Sequence, residues 1–106
     1  MKMRSIHLLS AFFAVPLVVY GSTSEVEVAY QNTCSACHGF GVAGAPIPGK
    51  AADWEDRLKK PLNTVYQNAI EGFTGELGTM PAKGGFTDFT DEQVKAIVDF
   101  MISDLE

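Results

Sequence analysis

The chain has 106 residues, 46% hydrophobic and 20% charged, and its 13 acidic side chains outnumber 8 basic ones for a formal charge of -5. That length holds one small domain. Its acidity excludes the basic surface that nucleic acid or an anionic membrane would require of a partner.

The first segment reads as a leader. Lys2 and Arg4 form a positive start, Ile6 to Tyr20 is mainly apolar, and Val19-Tyr20-Gly21 is a tolerable cleavage context, so residues 1–21 are expected to be a cleaved secretory signal peptide. Ser10 and Pro16 interrupt the stretch, which falls short of the roughly 18 apolar residues of a membrane-spanning helix. The alternative is an uncleaved N-terminal anchor at the periplasmic face of the inner membrane. Cleavage leaves a domain of residues 22–106 and, with Lys2 and Arg4 gone, moves the formal charge from -5 to -7. A scaffold this small usually needs a metal, disulfide or cofactor at its centre.

Glu25 to about Cys34 is expected to be helical, with Val26, Tyr30 and Cys34 on one face. It delivers Cys34-Ser35-Ala36-Cys37-His38, and C-x-x-C-H is the attachment sequence of a c-type haem: each thiol can add to a porphyrin vinyl group, and the adjacent imidazole can bind the iron. Three other readings compete. Zinc would need about four ligands, yet there are only two cysteines and His7 falls in the leader. A thioredoxin-like pair is expected beside a strand-helix-strand pattern that is missing here. A plain disulfide leaves His38 unexplained. One motif implies one covalent haem.

Gly39 to Gly49 is rich in glycine and proline and reads as loop. Ala51 to Leu58 is at most one short helix. A clearer helix opens at Pro61, whose missing N–H costs nothing in a first turn. It carries Leu62, Val65, Tyr66, Ala69 and Ile70 on one face and stops at Gly72. The last helix follows Thr90, which with Gln93 can form a capping box, and presents Val94, Ile97, Val98, Met101 and Leu105 as an apolar stripe. No alternating strand pattern competes, so the expected fold is all-α.

Between the last two helices a glycine-rich loop holds Met80-Pro81-Ala82-Lys83-Gly84-Gly85. A histidine-bound haem iron leaves its other face empty or filled by a group such as Met or His. Without the leader His38 is the only histidine, and Met80 and Met101 are the only methionines. Met101 lies on the apolar stripe and reads as core, which leaves Met80 as the expected sixth ligand. A buried loop methionine and a weak lysine ligand are the alternatives.

The run C-S-A-C-H-G, G-A-P-x-x-G, A-A-x-W-x-x-R-L, A-I-x-G, M-P-A-K-G-G and T-D-E-Q-V, spanning Val26 to Leu105, resembles the bacterial class I cytochromes c and most of all the short cytochrome c-5 group. The resemblance implies a small helical domain wrapped around one haem c. Cys34 and Cys37 would hold the thioethers, and His38 and Met80 would be the axial ligands. It also implies that the Pro46 carbonyl accepts the Nδ1 proton of His38, and that Trp54 and Arg57 lie near the haem propionates; a core aromatic and a solvated helix face are the plainer readings of these last two. Two departures stand out. The second cysteine pair common in the c-5 group is missing, with Phe86 in its region. Val26 replaces a glycine found at the first helix's crossing in many members, which implies a wider crossing in which Tyr30 packs against Phe100 or Ile97.

The expected function is one-electron transfer by a soluble periplasmic carrier, a monomer, between redox-protein partners, with no small-molecule substrate at the iron and no enzymatic activity. Any contact with membrane would come through those partners or an uncleaved N-terminus. The alternative is a haem subunit fixed to a larger dehydrogenase or oxidase complex. A gas sensor or peroxidase would need an open sixth position or a distal acid-base group. Lys50, Lys59, Lys60 and Lys83 could rim a docking face, although ordinary solubility explains them more simply.

Overall fold

The computed structural model describes residues 22–105; the leader assignment for residues 1–21 lies outside them. Helix α1 (Thr23–Asn32) begins where the Ser22 hydroxyl accepts the Glu25 N–H, two residues before the expected start. It ends early, because Thr33 leaves helical geometry (φ -133°, ψ -76°) and its hydroxyl donates to the Ala29 carbonyl at 2.6 Å. The haem motif therefore rides on its own single turn, α2 (Ser35–His38). After the Gly/Pro loop come the one-turn α3 (Ala51–Trp54) and a 3-10 turn at Arg57–Lys59. Pro61 stands at the cap of α4 (Leu62–Glu71), whose last turn gives way at Gly72 with φ 88°. Helix α5 (Asp91–Ile102) has both halves of the capping box: the Gln93 N–H donates to Thr90 Oγ1 at 3.1 Å, and the Thr90 N–H to Gln93 Oε1 at 2.9 Å.

One element departs from the all-α expectation. Residues of the loop after Gly72 form a small antiparallel hairpin, β1 (Phe73–Gly75) and β2 (Gly78–Met80), with Phe73 paired to Met80 and Thr74 to Thr79. Three residues per strand are too few to write a period-2 pattern, and Glu76-Leu77 makes the kind of two-residue tip that closes a hairpin. The helical architecture is otherwise as expected.

The core is thin. Tyr30, Trp54, Ala69, Val94, Ile97, Val98 and Met101 form one buried cluster, supplied mostly by α5 with α1 and α4 packed on it. Tyr30 meets Phe100 with ring centroids 5.4 Å apart and tilted by 51°, one of the two packings expected for Tyr30 at the crossing of α1 and α5.

Candidate haem site

Helix α2 gathers the chemistry of the motif on one turn. Its backbone is closed by the His38 N–H donating to the Cys34 carbonyl at 3.0 Å and the Cys37 N–H to the same carbonyl at 3.2 Å. Cys34 is half-buried and Cys37 is exposed. His38 is buried, and its Nδ1 lies 2.8 Å from the Pro46 carbonyl. A carbonyl only accepts, so Nδ1 carries the proton and Nε2 keeps its lone pair. Burial lowers the His38 pKa, opposed by the Pro46 bond and aided by the nearby Arg57 charge. The imidazole is thereby held neutral, the form that binds a metal.

A chain of contacts keeps the Pro46 carbonyl in place. The neighbouring Ile47 N–H donates to Asp53 Oδ2 at 3.1 Å, and the Ile47 carbonyl accepts the Trp54 indole N–H at 2.9 Å. Arg57 donates to the Asp53 carbonyl at 2.6 Å and to the Gly44 carbonyl at 3.3 Å. Trp54 and Arg57 thus donate to backbone carbonyls of this loop, and α3 fastens the loop that orients His38. Asp53 shares this role and was not visible in the sequence, where it reads as one more surface acid.

Cys34, His38 and Met80 line one cleft together with Ala69, Ile97 and Val98. Met101, in the α5 core at 4% exposure, also lines this cleft. Met80 ends β2 and is braced through its backbone: Gly72 lies so near the Met80 carbonyl that a Cβ there would stand 3.0 Å from it. Two thiols and an imidazole with a free Nε2 on one element, a thioether from another, and aliphatic walls between them fit a covalently held haem. The four lysines considered for a docking rim are all engaged locally: Lys50 with Asp53 at 3.9 Å, Lys59 with Asp56 at 2.9 Å, Lys83 with Asp91 at 3.1 Å, and Lys60 over the Phe73 ring at 5.5 Å.

Such a site on such a fold defines a class I cytochrome c, and the chain belongs to that family. A family model described as cytochrome C oxidase, cbb3-type, subunit III matches residues 21–101. Among its relatives, cytochrome c-555 of Chlorobaculum tepidum is 36% identical over 98 residues, covering 88% of this chain and 91% of that one. Cytochrome c5 of Ectopseudomonas mendocina is 36% identical over 83 residues, covering 76% and 91%. A chain in the crystal structure of an electron transfer complex of nitrite reductase with cytochrome c superposes with a TM-score of 0.64 at 29% identity, over 76% of this chain and 93% of that chain. The protein accordingly carries a single covalently bound haem c and is an electron carrier, not an enzyme.

Proposed function

We propose that this chain is a soluble periplasmic one-electron carrier whose iron is held between His38 and Met80, with thioethers from Cys34 and Cys37. The observation that carries the reading is the shared cleft: an imidazole with its Nδ1 proton tied to Pro46 and a methionine from a backbone-braced hairpin both line it. Bound haem supplies an iron that alternates between ferric and ferrous states. The chain's part is to present two neutral ligands, keep water out with Ala69, Ile97 and Val98, and resist rearrangement when the charge changes. Met101 is fixed by core packing on α5, which favours Met80 as the ligand. The leader-like residues 1–21 support export.

Partner binding is proposed through an apolar rim. Residues 39–49 contain no acidic or basic side chain. The turn Val42–Gly44 contacts both α2 and β2, and Leu77 packs on Gly44. Phe40, Leu77 and Val42 are 81%, 69% and 49% exposed, respectively. A redox protein presenting its own apolar patch fits this surface, in a small, short-lived contact. Electron transfer to such a partner should change less than about threefold between 20 and 200 mM salt, whereas charge-steered docking falls steeply over that range. A steep dependence would refute the rim.

The family model's description favours a second reading, a subunit fixed to a larger oxidase complex. Co-purification in a stable stoichiometric complex supports it; recovery as a free small protein supports the shuttle. The ligand assignment is tested by adding carbon monoxide to the reduced holoprotein. The wild type should be unreactive and Met80→Ala should bind at once; equal reactivity of the two would sink it.

A further inference from the structure

Lys83 has features that solubility does not explain. It is one of two non-glycine residues with positive φ among the described residues, at 53°, a conformation that persists only where the surroundings impose it. Its side chain is only 19% exposed. The ammonium donates to the Phe89 carbonyl at 2.6 Å and pairs with Asp91 Oδ1 at 3.1 Å, on either side of the residue that caps α5. Its own backbone lies in the turn that follows Met80: the Gly84 N–H donates to the Pro81 carbonyl at 2.9 Å and the Phe86 N–H to the Lys83 carbonyl at 3.1 Å. Lys83 and Phe89 line the same cleft as Met80.

We infer that Lys83 is a positioning residue, a latch that ties the Met80 segment to the start of α5 and so holds the thioether against the iron. This rests on the reading of Met80 as the distal ligand. Residues 81–89 are joined to their surroundings by few other polar contacts, while α5 is fixed by its capping box and its buried stripe. An ammonium with a neutral acceptor and a carboxylate is a charge-assisted clamp stronger than a neutral hydrogen bond. It also compensates for placing a cation near a helix N-terminus, which the helix dipole disfavours. With the clamp cut, the turn loses the tether that imposes its left-handed residue, and Met80 is held only from the hairpin side, by Phe73 and Gly72.

The test uses the reduced holoprotein and four variants: Lys83→Met, Lys83→Gly, Lys83→Arg and Met80→Ala. Lys83→Gly removes the ammonium while relieving the backbone, which separates the clamp from the strain. Carbon monoxide should bind Lys83→Met and Lys83→Gly at least tenfold faster than wild type, and Lys83→Arg should restore most of the protection. Amide exchange at Gly84 and Phe86 should quicken in the first two variants while α1 and α4 stay unchanged. Wild-type reactivity in Lys83→Met and Lys83→Gly, with Met80→Ala fully reactive, overturns the latch alone. If Met80→Ala is also unreactive, the ligand assignment fails and the latch with it. Should Lys83→Met not fold, Asp91→Asn cuts the ionic half, and unchanged amide exchange there also refutes the latch.

Discussion

Gly78→Ala should be among the most damaging single-methyl additions this chain can receive. A Cβ at Gly78 would stand 1.9 Å from the Ala43 carbonyl oxygen, where real Cβ atoms essentially never come closer than 3.0 Å. Something must therefore retreat by about an ångström. Neither side can move cheaply: Gly78 is paired with Gly75 in the hairpin, and Ala43 already sits at φ 50°. Forcing a close-packed contact apart costs about 1–3 kcal/mol, and a non-glycine residue at φ 154° adds about 1–3 kcal/mol of backbone strain. The expected loss is about 2–6 kcal/mol, and at roughly 4–8 °C per kcal/mol for a domain of this size the melting temperature should fall by about 10 °C or more. Gly85→Ala is the control. Its φ of 89° is also positive, yet nothing lies within 4 Å of its Cβ, so it should lose only about 1–2 kcal/mol. Thermal unfolding of the holoproteins reads the difference. Because Met80 is two residues along the same strand, Gly78→Ala should also let carbon monoxide in. Equal melting temperatures for the two variants would mean that the contact between the Val42–Gly44 turn and the hairpin does not hold the site.

Thr90→Ala should cost about 1 kcal/mol through loss of the α5 cap, a drop of about 4–8 °C that Thr90→Ser largely restores. Burial, with the hydrogen bond to Asp99 next, pushes the Tyr66 pKa up to about 12 from its ordinary 10.0. The folded phenol then holds its proton where the unfolded one has lost it. Its contribution to stability is complete below pH 10 and disappears as pH rises towards 12. Tyr66→Phe should flatten that part of the stability curve, and denaturant midpoints that decline as steeply in the variant would refute the assignment. Replacing both Cys34 and Cys37 by alanine should leave a haem that acid solvent extracts completely, read by absorbance of the extracted protein.

Legibility in the sequence followed the range of the signals. The capping box of α5 and the stripe Val94, Ile97, Val98 and Met101 are local patterns written within one element, and they occur in the structure as spaced in the chain. The hairpin is different. Its strands are too short for periodicity, and what stabilises it is a non-local fit of Gly78 against Ala43 and of Gly44 against Leu77. No spacing rule records such a fit.

Trp54 and Arg57 show the same limit from the side of the site. Their types indicated donors, but a donor's acceptor is decided by which carbonyls the loop turns inward, and those belong to Asp53, Ile47 and Gly44. Those contacts form a chain: α3 holds the loop, the loop holds Pro46, and Pro46 holds the proton of His38. Lys83 stands in a parallel position on the methionine side, fastening the segment that follows Met80 to α5. Each proposed ligand is thus presented by a short segment that is itself tied to a helix through side-chain to backbone bonds.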